Sequence, residues 1–115
     1  MNLKTQGDIT IAQIDTRWDI TIANKIETEL VKLIEQGTKK LICDLSQTEY
    51  IASSGLRVIL IVEKAIKKID GKFVLFGLNS FVQDVFLTSG FDKLIPIFKT
   101  EQEAIAALYS TQNEN

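Results

Sequence analysis

The sequence predicts an α/β fold in which a single-layer mixed sheet of four to five strands packs with about four helices. Short apolar runs at residues 41–43 and 73–76 are typical of strands that are buried on both faces. The segments between them carry apolar residues at the period of an amphipathic helix. Because the two element types alternate along only 115 residues, we expect one domain over residues 1–115.

The N-terminal part of the chain predicts two paired strands. Ile9 and Ile11 stand in an otherwise polar stretch, which favours a strand over about residues 8–15. Leu3 and its neighbours predict an edge strand, and Gly7 is placed for the turn between the two.

The first helix is predicted where the apolar period changes. Residues 16–21 indicate a loop, and an amphipathic helix is expected from Ile22, with Gly37 placed to end it. The apolar face of this helix consists of Ile22, Ile26, Leu30, Leu33 and Ile34.

The centre of the chain predicts a buried strand, a polar connection and a second helix. The strand is expected at residues 40–45 and the helix at about residues 54–69. Ser53 and Ser54 stand at the helix start, where a hydroxyl oxygen can accept a hydrogen bond from an unpaired backbone N–H. From spacing alone, helix capping is the expected role of both serines.

The C-terminal part predicts two more helices and a short edge strand. A helix that ends near Gly90 is expected to bury Phe81, Val85 and Phe86. Pro96 limits residues 94–98 to an edge strand or a break.

The last helix is predicted to open with a capping box. Thr100 and Glu103 have the required spacing, and the helix is expected to bury Ile105 and Leu108. The tail at residues 110–115 is expected to be frayed.

Composition excludes several functional classes. A net charge of −2 argues against nucleic-acid binding, and the longest apolar run is too short to cross a membrane. The chain has no histidine, which removes Ser-His and Cys-His catalytic pairs and most zinc sites. Its one cysteine, Cys43, is expected to be a buried reduced thiol, and no signal peptide is evident, so we expect a cytoplasmic protein without metal or cofactor.

Two stretches carry a family resemblance. Residues 44–60 read D-L-S-Q-T-E-Y-I-A-S-S-G-L-R-V-I-L, and residues 17–23 read R-W-D-I-T-I-A. Both resemble STAS domains of the anti-sigma factor antagonist family, and the order of the predicted elements matches that family over roughly residues 3–109. The resemblance implies a binding protein and not an enzyme.

The resemblance also implies a regulatory site. Ser53 matches the serine that is phosphorylated in this family by a partner that is both a serine kinase and an anti-sigma factor. It implies that the unmodified protein docks on this partner and is released on phosphorylation, with a serine phosphatase as a further partner. Asp19 matches a loop aspartate beside the phosphorylated serine, and the family favours a monomer.

Further residues are expected to contact the partner. Ser54 and Gly55 adjoin the phosphorylation site, and Trp18 is a candidate anchor in the preceding loop. Arg57 stands where many members of the family have glycine, about one helical turn from Ser53, and can pair with a phosphate there. Ala52 replaces the acidic residue that shapes the site and its recognition by the kinase.

The sequence suggests two other interpretations. A hydrolase nucleophile elbow is disfavoured because I-A-S-S-G-L does not match G-x-S-x-G and no histidine is present. A STAS module that binds in a sensory or signalling complex without being phosphorylated remains an alternative because of Ala52.

Overall fold

The computed structural model describes residues 1–110, so the frayed tail expected at residues 110–115 lies outside the described residues except for Ser110. Within them, seven strands and four α-helices alternate along the chain. The strands are β1 Asn2–Gln6, β2 Ile9–Gln13, β3 Arg17–Trp18, β4 Lys40–Asp44, β5 Tyr50–Ile51, β6 Lys72–Phe76 and β7 Ile97–Phe98. The helices are α1 Ile20–Glu35, α2 Ser53–Lys67, α3 Ser80–Ser89 and α4 Glu101–Ser110, with a 3₁₀ turn at Phe91–Lys93.

Five of the strands in residues 1–110 form one mixed sheet in the order β1-β2-β4-β6-β7. β1 pairs with β2 in the antiparallel sense, and the other neighbours are parallel. The turn between β1 and β2 contains Gly7 at a φ of 61°, a conformation that glycine adopts without steric cost. The predicted fold class and the predicted N-terminal hairpin are confirmed.

The central strands are buried on both faces, as their apolar runs predicted. Leu41, Cys43 and Leu75 belong to the larger core, which α1, α2 and α3 cover. Ile42 and Val74 point to the opposite face, where they belong to a second core with Ala104 and Leu108 of α4. The helices therefore lie on both faces of the five-stranded sheet, which explains why its central strands do not alternate between apolar and polar residues.

The first helix starts earlier than the change of period suggested. Asp19 is its N-cap, so α1 begins at Ile20 and not at Ile22. The expected loop at residues 16–21 is also wrong in part, because Arg17 and Trp18 form the short strand β3. A two-residue strand is too short to show a hydrophobic period.

Helix α3 buries only part of the apolar face that was expected to be buried. Asn79 caps it, and Gly90 ends it at a φ of 81°. Phe86 is fully buried and Val85 packs against the core, but Phe81 is 51% exposed. The prediction that Phe81 is a core residue is therefore wrong.

The C-terminal elements follow the sequence closely. The short strand β7 begins directly after Pro96 and pairs at the edge of the sheet. Thr100 Oγ1 accepts a hydrogen bond from the N–H of Glu103 at 3.2 Å, as a capping box requires. The Glu103 carboxylate accepts from the N–H of Lys99 at 3.1 Å, one residue earlier than in the usual box.

In the part of the chain that the structure describes, none of the helices combines the length and the apolar character needed to cross a bilayer.

Candidate functional site

Two short strands bring the starts of α1 and α2 together. β3 and β5 are parallel, with Arg17 opposite Tyr50 and Trp18 opposite Ile51. The N–H of Ala52 donates to the carbonyl of Trp18 at 2.9 Å and continues this pairing to the end of β5. Because a helix follows each strand directly, two helix N-termini, with their positive ends, lie side by side at this corner.

The two serines at the start of α2 have different environments. Ser53 is exposed, whereas the hydroxyl oxygen of Ser54 is buried and has no hydrogen-bond partner among residues 1–110. A second protein can therefore reach the Ser53 hydroxyl and cannot reach that of Ser54. The expectation that Ser54 contacts the partner is wrong for its hydroxyl, because this group points inward from the first turn of α2.

The expectation that a serine caps α2 is also wrong. The helix begins at Ser53, so its N-cap is Ala52, with extended backbone angles of φ −92° and ψ 171°. Over the described range, no side chain accepts a hydrogen bond from the first turn of α2. The N-terminus of α2 thus keeps donor groups that a side chain usually satisfies.

Trp18 and Gly55 lie under the corner and not on its surface. Trp18 is fully buried, and a Cβ on Gly55 would lie 3.0 Å from both Cγ and Cδ1 of the Trp18 ring. Gly55 therefore allows the helix to pack directly on the indole. Direct partner contact through Trp18 or Gly55 was a wrong prediction, because both are enclosed by the fold.

Asp19 is the N-cap of α1 and stands beside the corner. Its Oδ1 accepts hydrogen bonds from the hydroxyl of Thr21 at 2.5 Å and from the N–H of Thr21 at 3.0 Å. These bonds, with a smaller contribution from Arg17, lower the pKa of the Asp19 carboxyl below its usual value. Asp19 is therefore a fixed negative charge within this corner.

Arg57 lies in the second turn of α2 and reaches across to α1. Its Nη1 is 3.4 Å from Oε1 of Glu27, while its side chain remains 68% exposed. Such an exposed ion pair contributes little to stability, so Arg57 is free to change partners at low cost.

A partly exposed aromatic stack that the sequence did not reveal adjoins the same corner, with Phe81 exposed and Tyr50 half-buried. The rings of Tyr50 and Phe81 stack with centroids 5.8 Å apart, and the guanidinium of Arg17 lies 4.4 Å from the Tyr50 centroid. Ile20, at the first position of α1, is 74% exposed. The sequence held one signal of this surface, because Tyr50 and Ile51 are apolar residues in a polar connection. Both stand shortly before Ser53.

The last two residues of β4, Cys43 and Asp44, have structural roles. Asp44 ends β4 and accepts hydrogen bonds from the N–H and hydroxyl of Ser46, so its carboxylate stabilises the turn that follows the strand. Burial raises the pKa of the Cys43 thiol far above its usual range, which disfavours the reactive thiolate form. Within residues 1–110, no three His, Cys, Asp or Glu side chains group as a metal site would require.

Comparison with known proteins gives a consistent result. The STAS domain family model matches residues 1–104. BtrV of Bordetella bronchiseptica, which is named as an anti-sigma factor antagonist, is 36% identical over 85 residues, or 74% of this chain and 73% of BtrV.

Solved structures show the same architecture. The anti-sigma factor antagonist TM1081 of Thermotoga maritima superposes with a TM-score of 0.89 at 25% identity, over 94% of this chain and 93% of its own. The anti-sigma factor antagonist SpoIIAA in its unphosphorylated form gives a TM-score of 0.84 at 21% identity, over 95% and 96% of the two chains. Its phosphorylated form gives 0.75 at 20% identity, over 92% and 96%.

Proposed function

This chain belongs to the STAS domain family of anti-sigma factor antagonists, and we propose that phosphorylation of Ser53 switches its binding to a serine-kinase anti-sigma factor. The unmodified protein docks on this partner, and the phosphorylated protein is released. The transfer forms a bond between Ser53 Oγ and the γ-phosphorus of ATP and breaks the bond from that phosphorus to ADP. The hydroxyl proton passes to a base of the kinase.

The exposure of the Ser53 hydroxyl at the start of α2 is the observation that carries this proposal. Ser53 is accessible while the neighbouring Ser54 hydroxyl is buried, so the corner offers one serine to a kinase active site. The start of α2 lacks a side-chain cap, and within the described residues the N–H groups of Ser53 and Ser54 have no acceptor, whereas that of Gly55 donates to the carbonyl of Ala52 at 2.9 Å. The first two N–H groups of α2 can therefore donate to phosphate oxygens. The fold can therefore accept the modification without rearranging.

The docking surface combines this corner with the aromatic stack. Tyr50 and Phe81 supply aromatic area, and Ile20 supplies an exposed aliphatic side chain. Aromatic and arginine side chains contribute most of the energy in many interfaces. Asp19 and Arg57 provide charge at the edge of the surface, where they contribute to orientation and selectivity.

Release follows from the charge that phosphorylation adds. A phosphoserine carries about −1.5 to −2 charges at neutral pH, and an interface that closes over it must remove the phosphate from water. A penalty of about 3 kcal/mol weakens binding more than a hundredfold, because each 1.4 kcal/mol is a factor of ten. No refolding of the STAS domain is required.

The direct test is titration of Ser53→Ala and Ser53→Asp against the purified kinase partner by calorimetry. We expect Ser53→Ala to bind like the unmodified protein and Ser53→Asp to bind at least tenfold more weakly. Thr5→Asp is the matched control, because it places the same charge on an exposed residue of β1, at the opposite end of the sheet. Equal affinity of the two Ser53 variants would contradict the proposal.

A second function is supported by Ala52. The family's acidic residue before the phosphorylated serine is absent, and a STAS module that docks in a signalling complex without being modified needs no such residue. Incubation with the cognate kinase and ATP separates the two functions. A mass gain of one phosphate that Ser53→Ala abolishes supports the switch, and an unchanged mass with intact binding supports the unmodified module.

A further inference from the structure

Arg57 forms an ion pair that joins the two helices of the corner. It bridges from α2 to Glu27 of α1 at 3.4 Å, and both side chains retain contact with water. Arg57 also stands four residues after Ser53 in α2, so the two side chains are neighbours on one helix face. The same guanidinium can therefore reach either Glu27 or a group attached to Ser53.

We propose that Arg57 is the internal binding residue for a phosphoryl group on Ser53, and that it leaves Glu27 when Ser53 is phosphorylated. This role of Arg57 rests on the proposed phosphorylation of Ser53, and it names Arg57 as the residue that binds the phosphate and Glu27 as the residue that loses its partner. The exchange is non-covalent: the contact of Arg57 with a carboxylate is replaced by one with a phosphate.

Charge and geometry both favour this exchange. The phosphate carries nearly twice the charge of the Glu27 carboxylate and offers three strong acceptor oxygens, which a guanidinium can bind in a bidentate manner. An anion that precedes a cation by four residues is the favourable order on a helix. The bridge to Glu27 is an exposed pair, so breaking it costs little.

The other charged groups of the corner are less suited to this role. Arg17 is the second cation, but its guanidinium lies over the Tyr50 ring, and its Nε is 3.7 Å from Oδ2 of Asp19. Asp19 is negative and repels a phosphate. Arg57 is thus the cation that can turn to Ser53 without leaving an aromatic contact.

The exchange spreads the effect of the modification to a second helix. Glu27 becomes an unpaired carboxylate on α1 when Arg57 turns to the phosphate. Phosphorylation then changes the docking face at two places, at the start of α2 and at the second turn of α1, and it fixes the phosphate in one position against α2.

The test uses protein in which phosphoserine is incorporated at position 53 during translation, so it needs no kinase. The pKa of the phosphate is followed by ³¹P NMR in the otherwise wild-type chain and in four variants. With Arg57→Gln the pKa should rise by roughly 0.4, the size expected for the loss of one exposed ion pair. With Glu27→Gln it should fall, since the competitor for Arg57 is removed.

The double variant Arg57→Gln/Glu27→Gln tests whether Glu27 affects the phosphate pKa by competing for Arg57 or directly by its own negative charge. If Arg57 exchanges, the effect of Glu27→Gln is largely lost when Arg57 is absent. Arg17→Gln is the matched control, with an expected change well below that of Arg57→Gln. An unchanged phosphate pKa in Arg57→Gln, or a larger effect of Arg17→Gln, overturns the inference. Neither result bears on partner binding, whose failure would appear only in the Ser53→Ala and Ser53→Asp titration.

Discussion

Substitution of Gly55 by alanine tests whether the corner depends on contact between α2 and the buried indole. A Cβ at this position would lie 2.8 Å from Cγ1 of Ile51 and 3.0 Å from two atoms of Trp18. Both neighbours are almost fully buried and cannot move aside without disturbing the core. Overpacking of this kind costs up to about 3 kcal/mol, while the better helix propensity of alanine returns about 1 kcal/mol.

We therefore expect Gly55→Ala to lower the free energy of unfolding by about 2 kcal/mol. For a chain of 115 residues this corresponds to a fall in Tm of about 8 °C. The assay is urea unfolding followed by the fluorescence of Trp18, the only tryptophan, which lies against the substituted position. An ordinary helical glycine would give the opposite sign, so a variant as stable as the wild type or more stable refutes the argument.

The adjacent residue provides the matched comparison. The buried Ser54 hydroxyl lacks a partner within residues 1–110, and a buried unsatisfied polar group costs about 1–3 kcal/mol. We expect Ser54→Ala to raise the free energy of unfolding by about 1 kcal/mol. If Ser54→Ala stabilises the protein and Gly55→Ala destabilises it, the effect of Gly55→Ala arises from packing against Trp18. If both variants are less stable than the wild type, the cause is general damage to α2.

Three further predictions address other parts of the molecule. Cys43 should not react with a thiol reagent in the folded protein and should react fully in urea, because burial raises its pKa; rapid labelling of the native protein would contradict this. Asp19→Asn should lower Tm at pH 6, because the ionised Asp19 carboxylate stabilises the folded protein. The difference in Tm between variant and wild type should shrink as the pH falls below about 3.8 and through the lowered folded-state pKa of Asp19. A difference that does not change with pH would contradict this prediction. Phe81→Ala should weaken partner binding about tenfold and Leu87→Ala less than twofold, although the two side chains are equally exposed on α3; equal effects would remove the aromatic stack from the docking surface.

The fold could be predicted from sequence because its dominant signals are local periods. The apolar runs at residues 41–43 and 73–76 mark strands covered on both sides, and the helices show their apolar faces directly. β3 was not predicted because a strand of two residues is too short to show a hydrophobic period. The start of α1 was placed late because its N-cap, Asp19, lies directly after that unrecognised strand.

The residues that form the site could be predicted from the sequence, but which of their side chains face water could not. Position in the sequence located Ser53, but which of two adjacent serines faces water depends on how the first turn of α2 is oriented over β5. Trp18 was a candidate anchor because it lies in a loop beside the site, although such a tryptophan is more often part of the core. The structure shows that it is fully buried and that Gly55 packs against its ring. For Phe81, the apolar spacing in α3 could not tell which stripe faces the core and which stacks on Tyr50.

Ala52 has consequences for both states of the proposed switch. A carboxylate at this N-cap would accept hydrogen bonds from the first turn of α2 and would place a negative charge next to Ser53. With alanine, neither occurs, so residue 52 neither occupies the first N–H groups of α2 nor adds a carboxylate next to a phosphate on Ser53. The loss of the acidic residue thus favours retention of the phosphate within this protein. Recognition by a kinase must then depend on other features of the corner, and the aromatic stack and the two charges at Asp19 and Arg57 are the features available there.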